Sequence, residues 1–185
     1  TYRKFKYKML DNDTAEICGY TGKDTVVTIP ESINSVPVTS IGRTAFSSCK
    51  IKEVTIPNTV RSIKWWAFYG CSSLEKVNLN FGLKTVGYGA FMNCKRLKSV
   101  SIPMSVTQIC DDSFAVDCTT KTGVFDSYSK QTISTQQYEV DSAFTLKGYS
   151  GTVAEKYCND SSLNFVSAGE VTYGDVDGSG EVDVH

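Results

Sequence analysis

The feature that most constrains this chain is its similarity to itself. Val54-Thr55-Ile56-Pro57, Val77-Asn78-Leu79-Asn80 and Val100-Ser101-Ile102-Pro103 recur at a step of 23 residues. A phenylalanine follows each at the same offset, as Phe68, Phe91 and Phe114. Ala67, Ala90 and Ser113 precede those rings, and Cys71, Cys94 and Cys118 close the units. An earlier copy runs from Val27-Thr28-Ile29-Pro30 to Ala45-Phe46 and Cys49, with about five extra residues around Ser35–Val38. A period in this range marks an array of stacked units rather than a globule with one central core.

Each unit has a physical reading. In Leu74-Glu75-Lys76-Val77-Asn78-Leu79 the apolar side chains at 77 and 79 alternate with polar ones at 76 and 78. That is the period of a half-buried strand. Pro30, Pro57 and Pro103 stop three such strands, because proline brings no N–H to a ladder. A second apolar pair follows in each copy: Val60 and Ile63, Leu83 and Val86, Val106 and Ile109. The Ala-Phe-x-x-Cys stretch then reads as one helical or 3-10 turn. A single unit cannot cover its own apolar side, so the units must cover one another in a row. The expected fold is an α/β solenoid of about four repeats of 22–24 residues with terminal caps.

The spacing resembles a leucine-rich repeat, whose core pattern is L-x-x-L-x-L. Ile51-x-x-Val54-x-Ile56, Leu74-x-x-Val77-x-Leu79 and Leu97-x-x-Val100-x-Ile102 fit it. Thr59, Gly82 and Ser105 stand where the usual repeat has asparagine. With the Ile-Pro, Ala-Phe and Cys features, this looks like the BspA-like bacterial, extracellular subclass, over roughly residues 14–166. Ala15–Ile17 and Gly19–Gly22 look like that family's first strand and turn. Leu146–Tyr149 and Leu163–Val166 read as the last strands. Thr152-Val153-Ala154-Glu155 has capping-box spacing and predicts a short helix through Cys158.

The composition shifts after Ser167-Ala168-Gly169. Asp175, Asp177 and Ser179 have the spacing of positions 1, 3 and 5 of an EF-hand calcium loop, with Gly180 at the sharp turn. Glu181 would offer its carbonyl at position 7, and Asp183 falls at position 9. The sequence stops one residue short of the position-12 carboxylate. This wording resembles the first loop of a dockerin, a calcium-folded module that plugs its carrier into a cohesin on a scaffold protein. The resemblance implies calcium as a cofactor of the complete dockerin, and cohesin contact at positions 10 and 11, here Val184 and His185. The domain layout expected is 1–168 for the repeat domain with its caps, 169–174 for a linker, and 175–185 for the truncated loop.

Other classes are disfavoured by composition. The formal net charge is −1, so no basic excess is available for a nucleic-acid backbone. No apolar run reaches the length of a membrane span. His185 is the only histidine and lies in the tail, so the repeats hold no histidine base for a Ser- or Cys-type centre. Asp111, Asp112, Asp117 and Asp126 are the carboxylates that a glycoside-cleaving centre would draw on. Seven cysteines without a CxxC pair argue against a zinc ribbon. The recurring thiols read as small core residues.

Two surfaces are candidates for binding. The outward strand positions, among them Glu53, Lys76 and Asn78, form a polar stripe. Before the Ala-Phe pair stand Trp65-Trp66 and, in the next copy, Tyr88, with Tyr69 close by. The alignment puts Trp65 and Tyr88 side by side. Aromatic side chains left at variable positions are suited to stacking on a sugar or anchoring a protein. The expected function is a non-catalytic extracellular binding or adhesion module for a protein or glycan surface. It would be cell-surface or cellulosome-associated and attached to a scaffold through a cohesin. The alternative is a polysaccharide-degrading enzyme or its accessory domain.

Overall fold

A computed structural model of the chain describes residues 2–114, 117–126, 131–139, 141 and 143–170, with only the backbone pairing described for 117–126 and 131–139. Its repeats wind into a β-solenoid with two strand stacks. The first stack contains β3 (Val26–Thr28), β6 (Glu53–Thr55) and β8 (Lys76–Asn78), paired in parallel with Val27, Val54 and Val77 in register. All three valines are buried, while the residues flanking them are exposed or half-buried. The proline of each Ile-Pro pair lies beyond the ladder, yet the preceding amide still bonds across rungs. Ile29 donates to the Thr55 carbonyl and Ile56 to that of Asn78.

The second stack uses the apolar pair after the strand, which the sequence did not mark as extended. β5 (Val36–Ile41), β7 (Ser62–Ile63), β9 (Thr85–Val86) and β11 (Gln108–Ile109) pair in parallel, rung by rung. Two residues suffice because the ladder, not the local segment, supplies the hydrogen bonds. The extra residues of the first copy form β4 (Ser32–Ile33), which folds back on β5.

The Ala-Phe-x-x-Cys segments are neither α- nor 3-10 helix but successive bonded turns. Ala67 N–H donates to Lys64, Tyr69 to Trp66 and Cys71 to Phe68. Between these, Trp66, Phe68 and Gly70 donate instead to Tyr88, Ala90 and Met92 of the next rung. Helix is interrupted because a left-handed residue recurs four positions apart within each of the first three turns. Thr44, Trp66, Gly89 and Asp112 have φ of 56°, 55°, 57° and 55°, as do Ser48, Gly70 and Asn93 at 59°, 68° and 62°. Such residues turn their amides outward to the neighbouring rung, and the stack compensates the local strain.

Inside, the repeat phenylalanines form one column. Phe46–Phe68, Phe68–Phe91 and Phe91–Phe114 stack with centroids 4.9, 5.1 and 5.4 Å apart. Tyr20 and Phe144 extend the column at its two ends. Cys71 Sγ donates to the Phe46 carbonyl at 3.0 Å and Cys94 Sγ to that of Phe68 at 3.3 Å. The cysteines thus fill the core and tie each rung to the one before.

The ends are closed differently from the middle. β1 (Phe5–Met9) and β2 (Ala15–Tyr20) form an antiparallel hairpin, and β2 pairs with β5. Glu16 of β2 is 3% exposed, yet it meets Lys8 at 2.9 Å, Lys64 and the Ser40 hydroxyl. Burial pushes its carboxyl up, but the hydrogen bonds from Lys64, Lys8 and Ser40 outweigh this and hold it below the ordinary carboxylate range. At the other end β10 (Ser99–Ser101), β14 (Thr145–Ser150) and β15 (Asn164–Glu170) pair in parallel. Helix α1 (Val153–Ser161) buries Ala154, Tyr157 and Cys158 against them. The expected capping box does not form, since the N-cap Thr152 makes no side-chain cap bond. Glu155 accepts from the Gly151 amide, while the Thr152 hydroxyl donates to the Tyr149 carbonyl. The 119–145 stretch, irregular by sequence, contains part of a hairpin of β12 (Asp117–Asp126) and β13 (Gln131–Glu139).

Candidate functional site

The turn side of the solenoid carries the aromatic residues, and the structure separates the two tryptophans. Trp66, left-handed, folds its ring over the next rung. Tyr88 meets that ring edge-on at 5.9 Å, and the Arg43 guanidinium lies 4.7 Å from its centroid. Gly89 lies beneath it: a Cβ there would come within 2.6 Å of Trp66 Cδ1. Tyr88 in turn hydrogen-bonds to Asp112, whose carboxyl is pushed up by burial and by neighbouring Asp111, against that bond. Arg43, Trp66, Tyr88 and Asp112 therefore form a row across four rungs. The ring that meets Tyr88 edge-on is that of Trp66, the neighbour of the aligned Trp65. The left-handed φ of Trp66 turns its ring toward the next rung, while Trp65 stays exposed.

Trp65 is 56% exposed and Tyr69 37% exposed, both on the turn that Trp66 anchors. Asn93 Nδ2 lies 3.5 Å from the Tyr69 hydroxyl. Flat apolar area with polar groups beside it, held on a backbone bonded to both neighbouring rungs, is preorganised for contact.

The polar stripe on the strand stack is brought together but is occupied with itself. Lys76 Nζ meets Glu53 at 2.9 Å, and Asn78 Nδ2 donates to Glu53 at 2.8 Å and to Thr55 Oγ1 at 3.2 Å. Lys76 and Asn78 together hold the Glu53 carboxyl below its ordinary value. A ligand would have to break these bonds to use these groups.

A feature missed by sequence reasoning lies further along. No ladder pairing joins β8 to β10 among the described residues, and Leu79 lacks the cross-rung amide bond that Ile29, Ile56 and Ile102 make. A cleft of about 280 Å³ opens there between Phe81, Pro103 and Tyr149. Asn80 replaces the proline of the other units, and Phe81 after it is 42% exposed. That substitution was the only sequence signal.

The thiols are all unpaired among the described residues. Burial pushes Cys71 up to about 12 and Cys94 well above its usual value. No group of metal-binding side chains occurs among the described residues. Asp111 and Asp112 are adjacent on one turn, and the side chains of Asp117 and Asp126 lie outside the described residues. So do Asp175, Asp177, Ser179, Glu181, Asp183, Val184 and His185.

Parallel rungs of 23 residues, a phenylalanine column and outward polar strand positions define a leucine-rich-repeat type of solenoid. The chain belongs to the BspA-type leucine-rich repeat family, whose model matches residues 20–143 in six copies, more than the four units evident in the sequence. A leucine-rich repeat protein of Bacteroides capillosus ATCC 29799 is 32% identical, with a TM-score of 0.58 over 60% of this chain and 86% of that one. A leucine-rich cell surface protein of Faecalibacterium prausnitzii A2-165 is 26% identical, with a TM-score of 0.54, over 82% of this chain and 45% of that one. A leucine-rich repeat protein of T. pallidum is 27% identical, with a TM-score of 0.53, over 62% of this chain and 65% of that one. No curated protein matches. No described helix is long and apolar enough to cross a membrane.

Proposed function

We propose that the chain is a non-catalytic extracellular binding module that engages a protein or glycan surface through its turn side. The observation that carries this reading is Trp65, more than half exposed on a turn that its neighbour Trp66 locks to the next rung. Together with the exposed ring of Tyr69, the Trp65 indole offers flat apolar area of the kind that anchors a protein or stacks on a sugar. The Faecalibacterium relative is described as a cell surface protein, which supports an extracellular setting.

The tail adds a mode of attachment. Residues 1–168 would form the binding domain, 169–174 a linker, and 175–185 the opening of a dockerin. Asp175, Asp177, Ser179, Glu181 and Asp183 would hold calcium once the dockerin is complete, with Val184 and His185 toward a cohesin. The support is the loop spacing alone. A polysaccharide-degrading enzyme is the second reading, and no described carboxylate pair favours it.

The test is a saturation binding measurement on immobilised extracellular matrix proteins and plant polysaccharides, with Trp65→Ala/Tyr69→Ala beside the parent. Saturable binding that falls on the order of tenfold in the double variant, without turnover, supports the module. Unchanged binding in a folded variant refutes the turn-side site. Calcium titration of the chain fused to the remainder of a dockerin tests the tail: stoichiometric uptake at neutral pH, lost in Asp175→Ala, is expected.

A further inference from the structure

Charge is unevenly spread along the solenoid. Residues 1–52 carry eight Lys and Arg against five Asp and Glu, whereas residues 53–170 carry eleven of each. At the basic end, a cleft of about 410 Å³ lies between the loop after β2 and the turn that ends the first unit. Its walls are Tyr20, Lys23, Asp24, Ser48, Cys49 and Lys50.

The polar groups in this cleft fall into two sets. Asp24 is already satisfied: Lys4 Nζ meets both its oxygens at 2.7 Å, and the Tyr20 hydroxyl donates to it. Lys4 and Tyr20 hold the Asp24 carboxyl below its ordinary value. Lys23, Lys50 and the Ser48 hydroxyl, by contrast, make no hydrogen bond or ion pair among the described residues. Several other lysines, among them Lys8, Lys64, Lys76, Lys98 and Lys156, sit on carboxylates, whereas Lys23 and Lys50 share one cleft with no such partner among the described residues. Two unpaired ammonium groups on one concave surface attract an anion, at a basic end that steers it there.

The cleft does more than attract charge. The Asp24 carboxylate, held by Lys4 and Tyr20, still has acceptor lone pairs for hydroxyl groups, which a bare phosphate or sulfate does not bring. The Tyr20 ring supplies an apolar wall, and Ser48 both donates and accepts. The ligand that satisfies all of these is a polyhydroxylated acid of about monosaccharide size, its carboxylate on the lysines and its hydroxyls on Asp24 and Ser48. We propose that this cleft is a binding site for a uronic acid unit. It is separate from the Trp65 surface and stands or falls without it.

The probe is digalacturonic acid, titrated calorimetrically into the chain at low salt, with galactose, sodium sulfate and a tetraglutamate peptide as comparisons. Saturable binding of digalacturonate alone is expected, weakened on the order of tenfold in Lys23→Gln/Lys50→Gln and by added salt. Trp65→Ala should leave it unchanged. Cys49 gives a second readout, since it lines the cleft: in a Cys18→Ala background, digalacturonate should slow its alkylation by N-ethylmaleimide. No binding, equal binding of sulfate or tetraglutamate, or full affinity in the folded double lysine variant would each overturn the assignment.

Discussion

Two glycines on the turn side isolate what the Trp66 ring contributes. Gly70 and Gly89 are both left-handed, with φ of 68° and 57°. Alanine at either one therefore costs about 1–2 kcal/mol in backbone strain. Their surroundings differ. A Cβ on Gly70 would meet only the Ser48 hydroxyl, at 3.4 Å, whereas one on Gly89 would fall 2.6 and 2.8 Å from Trp66 Cδ1 and Nε1. The indole would have to move, losing the Arg43 contact at 4.7 Å and the Tyr88 edge contact at 5.9 Å. Those are worth about 0.5–1 and about 0.5–1.5 kcal/mol. Gly89→Ala should thus cost about 2–4 kcal/mol and Gly70→Ala about 1–2 kcal/mol. In a Trp66→Ala background the Gly89→Ala cost should fall back to the strain alone. Urea unfolding followed by far-ultraviolet circular dichroism measures all five proteins without relying on tryptophan emission. Equal costs for the two glycines, or an undiminished Gly89→Ala cost without the indole, would show that Trp66 does not rest on Gly89.

Three further outcomes are expected. Phe68→Ala should cost about 3–5 kcal/mol in a urea titration, because the ring is fully buried and stacked on both faces, and Phe68→Leu clearly less; equal costs would mean the column relaxes freely. Glu16→Gln should lower stability at neutral pH by about 1–3 kcal/mol, the low end being favoured because both lysines are roughly half exposed. Its folded carboxyl titrates below the unfolded one, so this stabilisation is present above the unfolded pKa and lost as pH falls through the folded one; parent and variant should converge in acid, and a constant gap would refute the ion-pair account. N-ethylmaleimide at mildly alkaline pH should label exposed Cys18 in the native protein, with Cys71, Cys94 and Cys158 labelled only on unfolding, as mass spectrometry of the peptides would show.

Much of the architecture was legible before any coordinates. Val54, Val77 and Val100 alternate with polar neighbours, and that period is a local property of a strand. Phe68, Phe91 and Phe114 recur at one offset, and equivalent positions of a stacked array must coincide. The unit length, the inward face and the column therefore follow from spacing alone. What spacing does not carry is the sign of φ and the partner a rung away. Ala67-Phe68 looks helical until Trp66 and Gly70 turn left-handed and send their amides to Tyr88 and Met92. Ser62-Ile63 is too short to declare itself a strand, because its ladder belongs to residues on neighbouring rungs. Trp65 and Trp66 are chemically identical in sequence; only the turn decides which one is covered. Lys23, Ser48 and Lys50 likewise share a cleft because the first rung closes against the terminal hairpin. Short-range sterics wrote the repeat, whereas contacts between rungs selected its surfaces.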